Sequence, residues 1–85
     1  MPAEQQLHTV YILVSLSHPS AHYTGITQNL EERLAKHNDG GCPHTAKFRP
    51  WRIETSIAFS DPQKAILFEA YLKSGSGREF ARRHF

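Results

Sequence analysis

Five residues of the chain carry side chains suited to phosphate chemistry: Tyr11, Tyr23, Arg33, His37 and Glu69. An arginine can neutralise the charge that develops on a phosphorus centre under attack. A carboxylate can hold a divalent cation, which polarises the phosphate and stabilises the leaving oxygen. A phenol or an imidazole can take a proton from an attacking water. Hydrolysis of a phosphodiester bond requires these parts together.

The two tyrosines fall within predicted strands. Residues 9–16, TVYILVSL, and 21–27, AHYTGIT, are rich in β-branched and aromatic residues, and the turn signal SHPS between them predicts an antiparallel hairpin. The two-residue period of a strand places Tyr23 and Gly25 on one side. A glycine inside a strand often marks the close approach of a ligand or another backbone, so Gly25 is a candidate substrate contact. Taken singly, each tyrosine fits amphipathic packing better than catalysis.

A helix over residues 29–38, NLEERLAKHN, should present Arg33 and His37 beside its two leucines. That side faces the sheet, where a buried arginine needs an anionic partner. The alternative is an arginine that extends past the leucines into solvent.

A second helix predicted from its sequence, DPQKAILFEAYLKSG, places Glu69 within its apolar stripe, between Phe68 and Leu72. A carboxylate there is costly unless it is paired, protonated or bound to a metal. The structural alternative is a salt bridge with Arg33 or Lys73.

The remaining segments complete the predicted order β-β-α-β-α-α. We predict a loop over residues 39–50, a third strand over 51–59 and a short last helix over 76–85. This order indicates an α+β class with a small sheet covered by helices. Core packing suits Trp51 at the start of the third strand better than stacking on a base.

Length and composition predict one domain over residues 1–85 in a reducing compartment, because a single cysteine, Cys42, excludes an internal disulfide. No apolar run reaches the roughly 20 residues of a membrane span, and MPAEQQLHT resembles no secretory signal. We therefore expect a cytoplasmic protein with no membrane partner. A zinc site at His37, Cys42 and His44 is disfavoured, because no paired cysteine spacing accompanies it.

Basic residues cluster near the end of the chain, which favours a polyanionic partner. The formal net charge is only +2, but this segment carries Lys73, Arg78, Arg82 and Arg83 against Glu79. A solvated surface explains the same charges equally well.

These motifs together resemble the GIY-YIG nuclease family, in particular small stand-alone members similar to the catalytic domain of the excision-repair nuclease UvrC. The resemblance runs from about Thr9 to Arg78. TVY (9–11) stands at the GIY position and YTG (23–25) at the YIG position; the helix with Arg33 and His37, the RPW before the third strand and AILFEAYLK with Glu69 follow in the family's order. Thr9 and Thr24 depart from the pattern at positions that carry no chemistry.

The resemblance implies a three-stranded antiparallel sheet flanked by helices and one divalent cation, Mg²⁺ or Mn²⁺, bound by Glu69. By the same resemblance, Arg33 would hold the scissile phosphate in place. Tyr11 becomes the leading candidate for general base, with Tyr23 and His37 orienting water or phosphate. A free phenol, with a pKa of about 10, is a poor base, but a nearby arginine or metal favours the phenolate.

By the same resemblance, the function is metal-dependent endonucleolytic hydrolysis of DNA in repair or recombination. From the residues themselves, the segment KSGSGR leaves Lys73 and Arg78 free to touch the DNA backbone, and the small chain with its mild net charge favours a protein partner that supplies specificity. The alternative is a nucleic-acid-binding or partner-binding module that keeps the fold without useful activity. A third interpretation is a structural or regulatory protein that binds no nucleic acid, and its binding to any partner would have to be insensitive to salt.

Overall fold

The fold is a three-stranded antiparallel sheet with helices on both faces, which confirms the predicted α+β class. The structure is a computed structural model that describes residues 6–85. The elements are β1 (His8–Ser15), β2 (His22–Thr27), α1 (Leu30–Asn38), α2 (Pro43–Ala46), β3 (Trp51–Phe59), α3 (Pro62–Leu72) and α4 (Gly75–His84). Residues 1–5 lie outside the described residues. They begin the segment MPAEQQLHT, in which we predicted no secretory signal.

Strand β1 lies at the centre of the sheet, in the order β2-β1-β3. Its residues 10–15 are all buried, because helices cover both faces of the sheet. A strand buried on both sides reads as a continuous apolar run, which explains the sequence VYILV. The side chains still alternate between two cores, as the two-residue period predicts.

Each face of the sheet has its own hydrophobic core. On one face, Val10 and Ile12 pack with Ala65 and Leu72 of α3, and Phe80 of α4 packs against them. The members of the other core are Tyr11, Leu13 and Trp51, packed by Leu30 and Leu34 of α1 and by Phe48. Tyr11 is thus fixed between the sheet and α1.

Side-chain caps mark the starts of α1, α3 and α4. Asn29 Oδ1 accepts from the backbone N–H of Glu32 at 3.1 Å. The carboxylate of Asp61 accepts from Gln63 N at 2.9 Å, with Pro62 in the first turn of α3. The hydroxyl of Ser74 accepts from Gly77 N at 3.1 Å and starts α4.

The prediction of a loop throughout residues 39–50 was wrong at α2, a helical turn of four residues. Pro43 suits its first turn, and its end is held from outside, because the indole N–H of Trp51 donates to the carbonyl of Thr45 at 2.9 Å. Trp51 is 4% exposed, so it packs in the core as predicted. Asn38 and Trp51, which flank residues 39–50, are joined by two hydrogen bonds. The Asn38 side chain accepts from the Trp51 backbone N–H at 2.6 Å and donates to the Trp51 carbonyl at 3.0 Å.

Within residues 6–85, every helix is too short or too polar to cross a bilayer.

Candidate active site

Three aromatic rings from three elements meet on the α1 face of the sheet. The centroids of Tyr11 and Tyr23 lie 6.3 Å apart, and His37 lies 6.0 Å from Tyr11 and 4.8 Å from Tyr23. The hydroxyl of Tyr11 is hydrogen bonded to Nε2 of His37 at 3.1 Å. Tyr11 and His37 are 2% and 1% exposed, whereas Tyr23 is half-buried. The structure therefore brings together three of the residues predicted for the site.

A fourth side chain, that of Thr45 in α2, extends this cluster. Its hydroxyl lies 2.8 Å from Nδ1 of His37 and donates to the carbonyl of Cys42 at 3.2 Å. Thr45 was missed from the sequence, because it lies in a segment predicted as a loop and carries no distinctive motif. Only the helical turn and its contact with Trp51 place it against His37.

Burial holds both partners of the central hydrogen bond in their neutral forms. It raises the pKa of Tyr11 to about 12, with Tyr23, Cys42 and Glu69 adding to the rise and Arg33 opposing it. Burial lowers the pKa of His37, and the charge of Arg33 lowers it further. At neutral pH the phenol keeps its proton and the imidazole is uncharged.

Gly25 makes room for the Tyr11 ring. The two residues are directly opposite in the β1–β2 pairing, and a Cβ at position 25 would lie 2.5 Å from the Tyr11 hydroxyl oxygen and 2.6 Å from Cζ. The close approach predicted from this glycine is real, but the approaching group is a side chain of the protein itself. Gly25 is buried, so any part that it has in substrate binding acts through the position of Tyr11.

Arg33 is half-buried on α1, one turn before His37. Its charge lowers the pKa of both Tyr11 and His37, which places the guanidinium within electrostatic reach of the cluster. Among residues 6–85 it forms no salt bridge with a carboxylate. The predicted anionic partner is thus absent from the described part of the chain, and the guanidinium is available to an external anion.

Glu69 combines burial with a salt bridge. Its side chain is 19% exposed, and a carboxylate oxygen lies 2.8 Å from Nζ of Lys73. Of the two pairings considered from the sequence, the structure shows the one with Lys73. The carboxylate also acts on the cluster, since it contributes to the raised pKa of Tyr11.

The donors around Glu69 suit a metal that takes most of its ligands from water and substrate. Within residues 6–85, no three histidine, cysteine or acidic side chains form a group that could hold a metal ion. Mg²⁺ is commonly held by one or two carboxylates together with waters and substrate phosphates. A single, partly exposed carboxylate therefore fits Mg²⁺ or Mn²⁺.

A groove of about 710 Å³ lies between the sheet and α4 and reaches this site at two residues. Tyr23 of the aromatic cluster and Lys73, the partner of Glu69, both line it. Arg78 and Arg82 also line it, and among residues 6–85 Glu54 is the one acidic side chain in the lining. The predicted substrate contacts Lys73 and Arg78 thus lie beside the cluster in a groove lined by more basic than acidic side chains, of which Lys73 and Arg82 are paired with Glu69 and Glu79.

Comparison with known proteins gives a family match over nearly the whole chain. Residues 7–82 match the model of the GIY-YIG catalytic domain. The chain is 35% identical over 66 residues to a UPF0213 protein of Lacticaseibacillus paracasei, covering 76% of this chain and 74% of that protein. It is 36% identical over 61 residues to a UPF0213 protein of Bacillus licheniformis, covering 71% of this chain and 63% of that protein.

A longer relative carries an activity in its name. The chain is 38% identical over 72 residues to the structure-specific endonuclease subunit SLX1 of Debaryomyces hansenii. The match covers 75% of this chain but spans only 20% of that protein. The likeness to UvrC in particular stays a prediction. The family match and the fold agree with the resemblance found in the sequence, and the chain belongs to the GIY-YIG family.

Proposed function

We propose that this protein is a metal-dependent endonuclease that hydrolyses phosphodiester bonds of DNA in repair or recombination. The chain belongs to a nuclease family, and one relative is named as a structure-specific endonuclease subunit. In this proposal residues 1–85 form a single catalytic domain that works in the cytoplasm. A protein partner supplies target specificity.

The observation that carries the proposal is the convergence of five side chains of complementary chemistry. Tyr11, Tyr23 and His37 are in ring contact, and the charges of Arg33 and Glu69 both act on the Tyr11 hydroxyl. The five come from β1, β2, α1 and α3, elements that the fold must assemble.

In the proposed mechanism Glu69 would hold one divalent cation, Mg²⁺ or Mn²⁺, and the bound ion would polarise the phosphate and stabilise the leaving oxygen. Lys73 must then release the Glu69 carboxylate, with which it forms a salt bridge 2.8 Å long. The freed ammonium lies at the groove, where it can contact a backbone phosphate together with Arg78. Arg33 neutralises the charge that grows on the phosphoryl oxygens.

The proton of the attacking water passes to Tyr11, whose own proton passes to His37. With a pKa of about 12, the Tyr11 phenol is protonated at neutral pH and cannot act as a base unless it gives up that proton. Nε2 of the uncharged His37 lies 3.1 Å from the hydroxyl and can receive it. The products are a 5′-phosphate and a 3′-hydroxyl, which takes a proton from solvent, and His37 returns its extra proton to solvent.

A second function, nucleic-acid binding without hydrolysis, is favoured by two observations. Lys73 already forms a salt bridge with the Glu69 carboxylate, and the raised pKa of Tyr11 keeps its phenol protonated at neutral pH. A module of this kind would keep the positive groove and have no use for a cation.

The test is cleavage of end-labelled DNAs by the purified protein in Mg²⁺, Mn²⁺ or EDTA. The panel contains single strands, duplexes, nicked duplexes, flaps and four-way junctions. Cleavage that requires the metal and leaves 5′-phosphates supports the endonuclease, and the best substrate indicates the pathway. Salt-sensitive binding in EDTA without cleavage in either metal supports the binding module. Absence of both binding and cleavage contradicts the two proposals.

A further inference from the structure

A chain of three hydrogen bonds, two of them buried and the last partly buried, runs from the site back to the protein backbone. It joins the Tyr11 hydroxyl to Nε2 of His37 at 3.1 Å, Nδ1 of His37 to the Thr45 hydroxyl at 2.8 Å, and that hydroxyl to the Cys42 carbonyl at 3.2 Å. Thr45 is 2% exposed, as buried as the residues that it joins to the backbone.

The protons in this chain can be placed by counting donors and acceptors. A neutral imidazole has one N–H and one bare nitrogen, and each hydroxyl has one proton. If Nδ1 carries the proton, Tyr11 donates to Nε2, Nδ1 donates to Thr45, and Thr45 donates to the Cys42 carbonyl. Every proton then has an acceptor.

The opposite tautomer leaves one buried proton without a partner. With the proton on Nε2, His37 donates to the Tyr11 oxygen, and the Tyr11 proton has no other acceptor among residues 6–85. Because a buried donor without a partner is costly, the first arrangement is the stable one. The hydrogen bond that Thr45 donates to the Cys42 carbonyl agrees with this arrangement, because it leaves the Thr45 oxygen free to accept the Nδ1 proton.

We propose that Thr45 is a positioning residue that holds His37 in the Nδ1–H tautomer, so that Nε2 is the bare nitrogen that accepts the Tyr11 proton. This role deepens the proposed hydrolysis and rests on it, but the tautomer itself is a property of the protein without substrate. It also gives the helical turn α2 a function. The Thr45 carbonyl accepts the Trp51 indole N–H at 2.9 Å, so α2 is anchored to the core and keeps the hydroxyl in place.

The test measures which ring nitrogen of His37 carries the proton, by long-range ¹H–¹⁵N correlation NMR on the ¹⁵N-labelled full chain. His37→Gln identifies the resonances, because the chain has six histidines. Wild type should show a protonated Nδ1 and a bare Nε2. Thr45→Ser should keep this tautomer, and Thr45→Val, which removes the acceptor for Nδ1–H, should shift it towards Nε2–H.

Steady-state cleavage of the best DNA substrate supplies the second readout. Thr45→Val should lower kcat about tenfold or more with little change in KM, because proton transfer by a positioned group contributes of the order of a hundredfold or more. Thr45→Ser should recover most of the rate. Since a valine replaces threonine with almost the same shape, thermal melting should confirm that the variant folds.

Three results would overturn the role of Thr45. They are a protonated Nε2 in the wild type, an unchanged tautomer in Thr45→Val, or a changed tautomer with an unchanged kcat. The wild-type spectrum decides the first even if the valine variant fails to fold. A wild type with the expected tautomer that cleaves no DNA would contradict the proposed function, while the control of His37 by Thr45 would still be judged from the spectra.

Discussion

The Tyr11 hydroxyl and Nε2 of His37 lie 3.1 Å apart, although 26 residues separate them in sequence. Tyr11 comes from the central strand and His37 from the last turn of α1, and both are almost fully buried. The pair therefore makes a fixed contact between sheet and helix. It also puts a proton acceptor beside a phenol that burial keeps protonated at neutral pH.

Tyr11 should be the tyrosine that resists ionisation. Its pKa is raised to about 12 in the folded state, against an ordinary value of about 10. A raised pKa stabilises the fold fully below the unfolded value and loses this contribution as pH rises through the folded one. Spectrophotometric titration should show a tyrosinate component near pH 12 that is missing in Tyr11→Phe. The free energy of unfolding should fall more steeply for wild type between about pH 10 and 12. Ionisation of Tyr11 at or below pH 10 would contradict the buried pair.

Gly25→Ala should destabilise the protein by about 1–3 kcal/mol, because the new methyl would overlap the Tyr11 ring and force a shift in a packed core. Gly75→Ala is the matched control. Its added methyl, at the start of α4, would meet no atom of residues 6–85 within 4 Å, so it should be neutral or stabilising by up to about 1 kcal/mol. Chemical denaturation measures both. Equal stabilities for the two variants would show that Gly25 does not accommodate Tyr11.

Arg33→Ala should lower kcat by about 10²–10³ with little effect on stability, because it removes charge stabilisation at the phosphate and breaks no salt bridge among residues 6–85. Arg33→Lys should recover only part of the rate, since an ammonium lacks the planar fork of donors. Lys36→Ala, on the same helix and exposed, is the control and should cleave at nearly the wild-type rate. Equal losses in the arginine and Lys36 variants would indicate a general charge effect in place of a site role.

Arg78→Ala should weaken DNA binding in EDTA and reduce the slope of log affinity against log salt by about one, because one phosphate contact is lost. Arg83→Ala provides the comparison on the same helix. Arg83 is paired with Glu79 at 3.3 Å and does not line the groove, so its removal should leave the slope almost unchanged. Fluorescence anisotropy at several salt concentrations gives both slopes. The same slope in both variants would place the DNA elsewhere.

The strands and the long helices were accessible from the sequence, because their residues carry local signals. Asn29 and Asp61 are residue types that favour the start of a helix, and they cap α1 and α3, while the apolar run around Tyr11 marks the strand. The five candidate site residues were found from chemistry and helical faces. What could not be predicted depends on contacts between distant segments. Thr45 reaches His37 only because a buried Trp51 anchors α2, and no pattern in the α2 sequence PHTA predicts that contact.

Gly25 is a second feature that the sequence predicted only in part. The sequence indicated a close approach at this position but not the group that approaches, which the β1–β2 register identifies as Tyr11. For Glu69, the helical face predicted a buried carboxylate and left two basic partners open. Lys73 is four residues further along the chain and pairs with Glu69 at the local spacing of one helical turn, whereas the reach of Arg33 depends on how α1 and α3 are placed around the sheet.

The central claim is that Glu69 serves metal-dependent hydrolysis of DNA, and single-turnover cleavage by Glu69→Gln tests it most directly. The amide keeps the shape of the side chain but removes the charge that would hold a cation. Glu79→Gln, an exposed carboxylate on α4 in salt bridges with Arg82 and Arg83, is the matched control. We expect Glu69→Gln in Mg²⁺ to cleave no faster than wild type in EDTA while still binding DNA, and Glu79→Gln to cleave at close to the wild-type rate. Metal-dependent cleavage by Glu69→Gln at the wild-type rate would contradict the account.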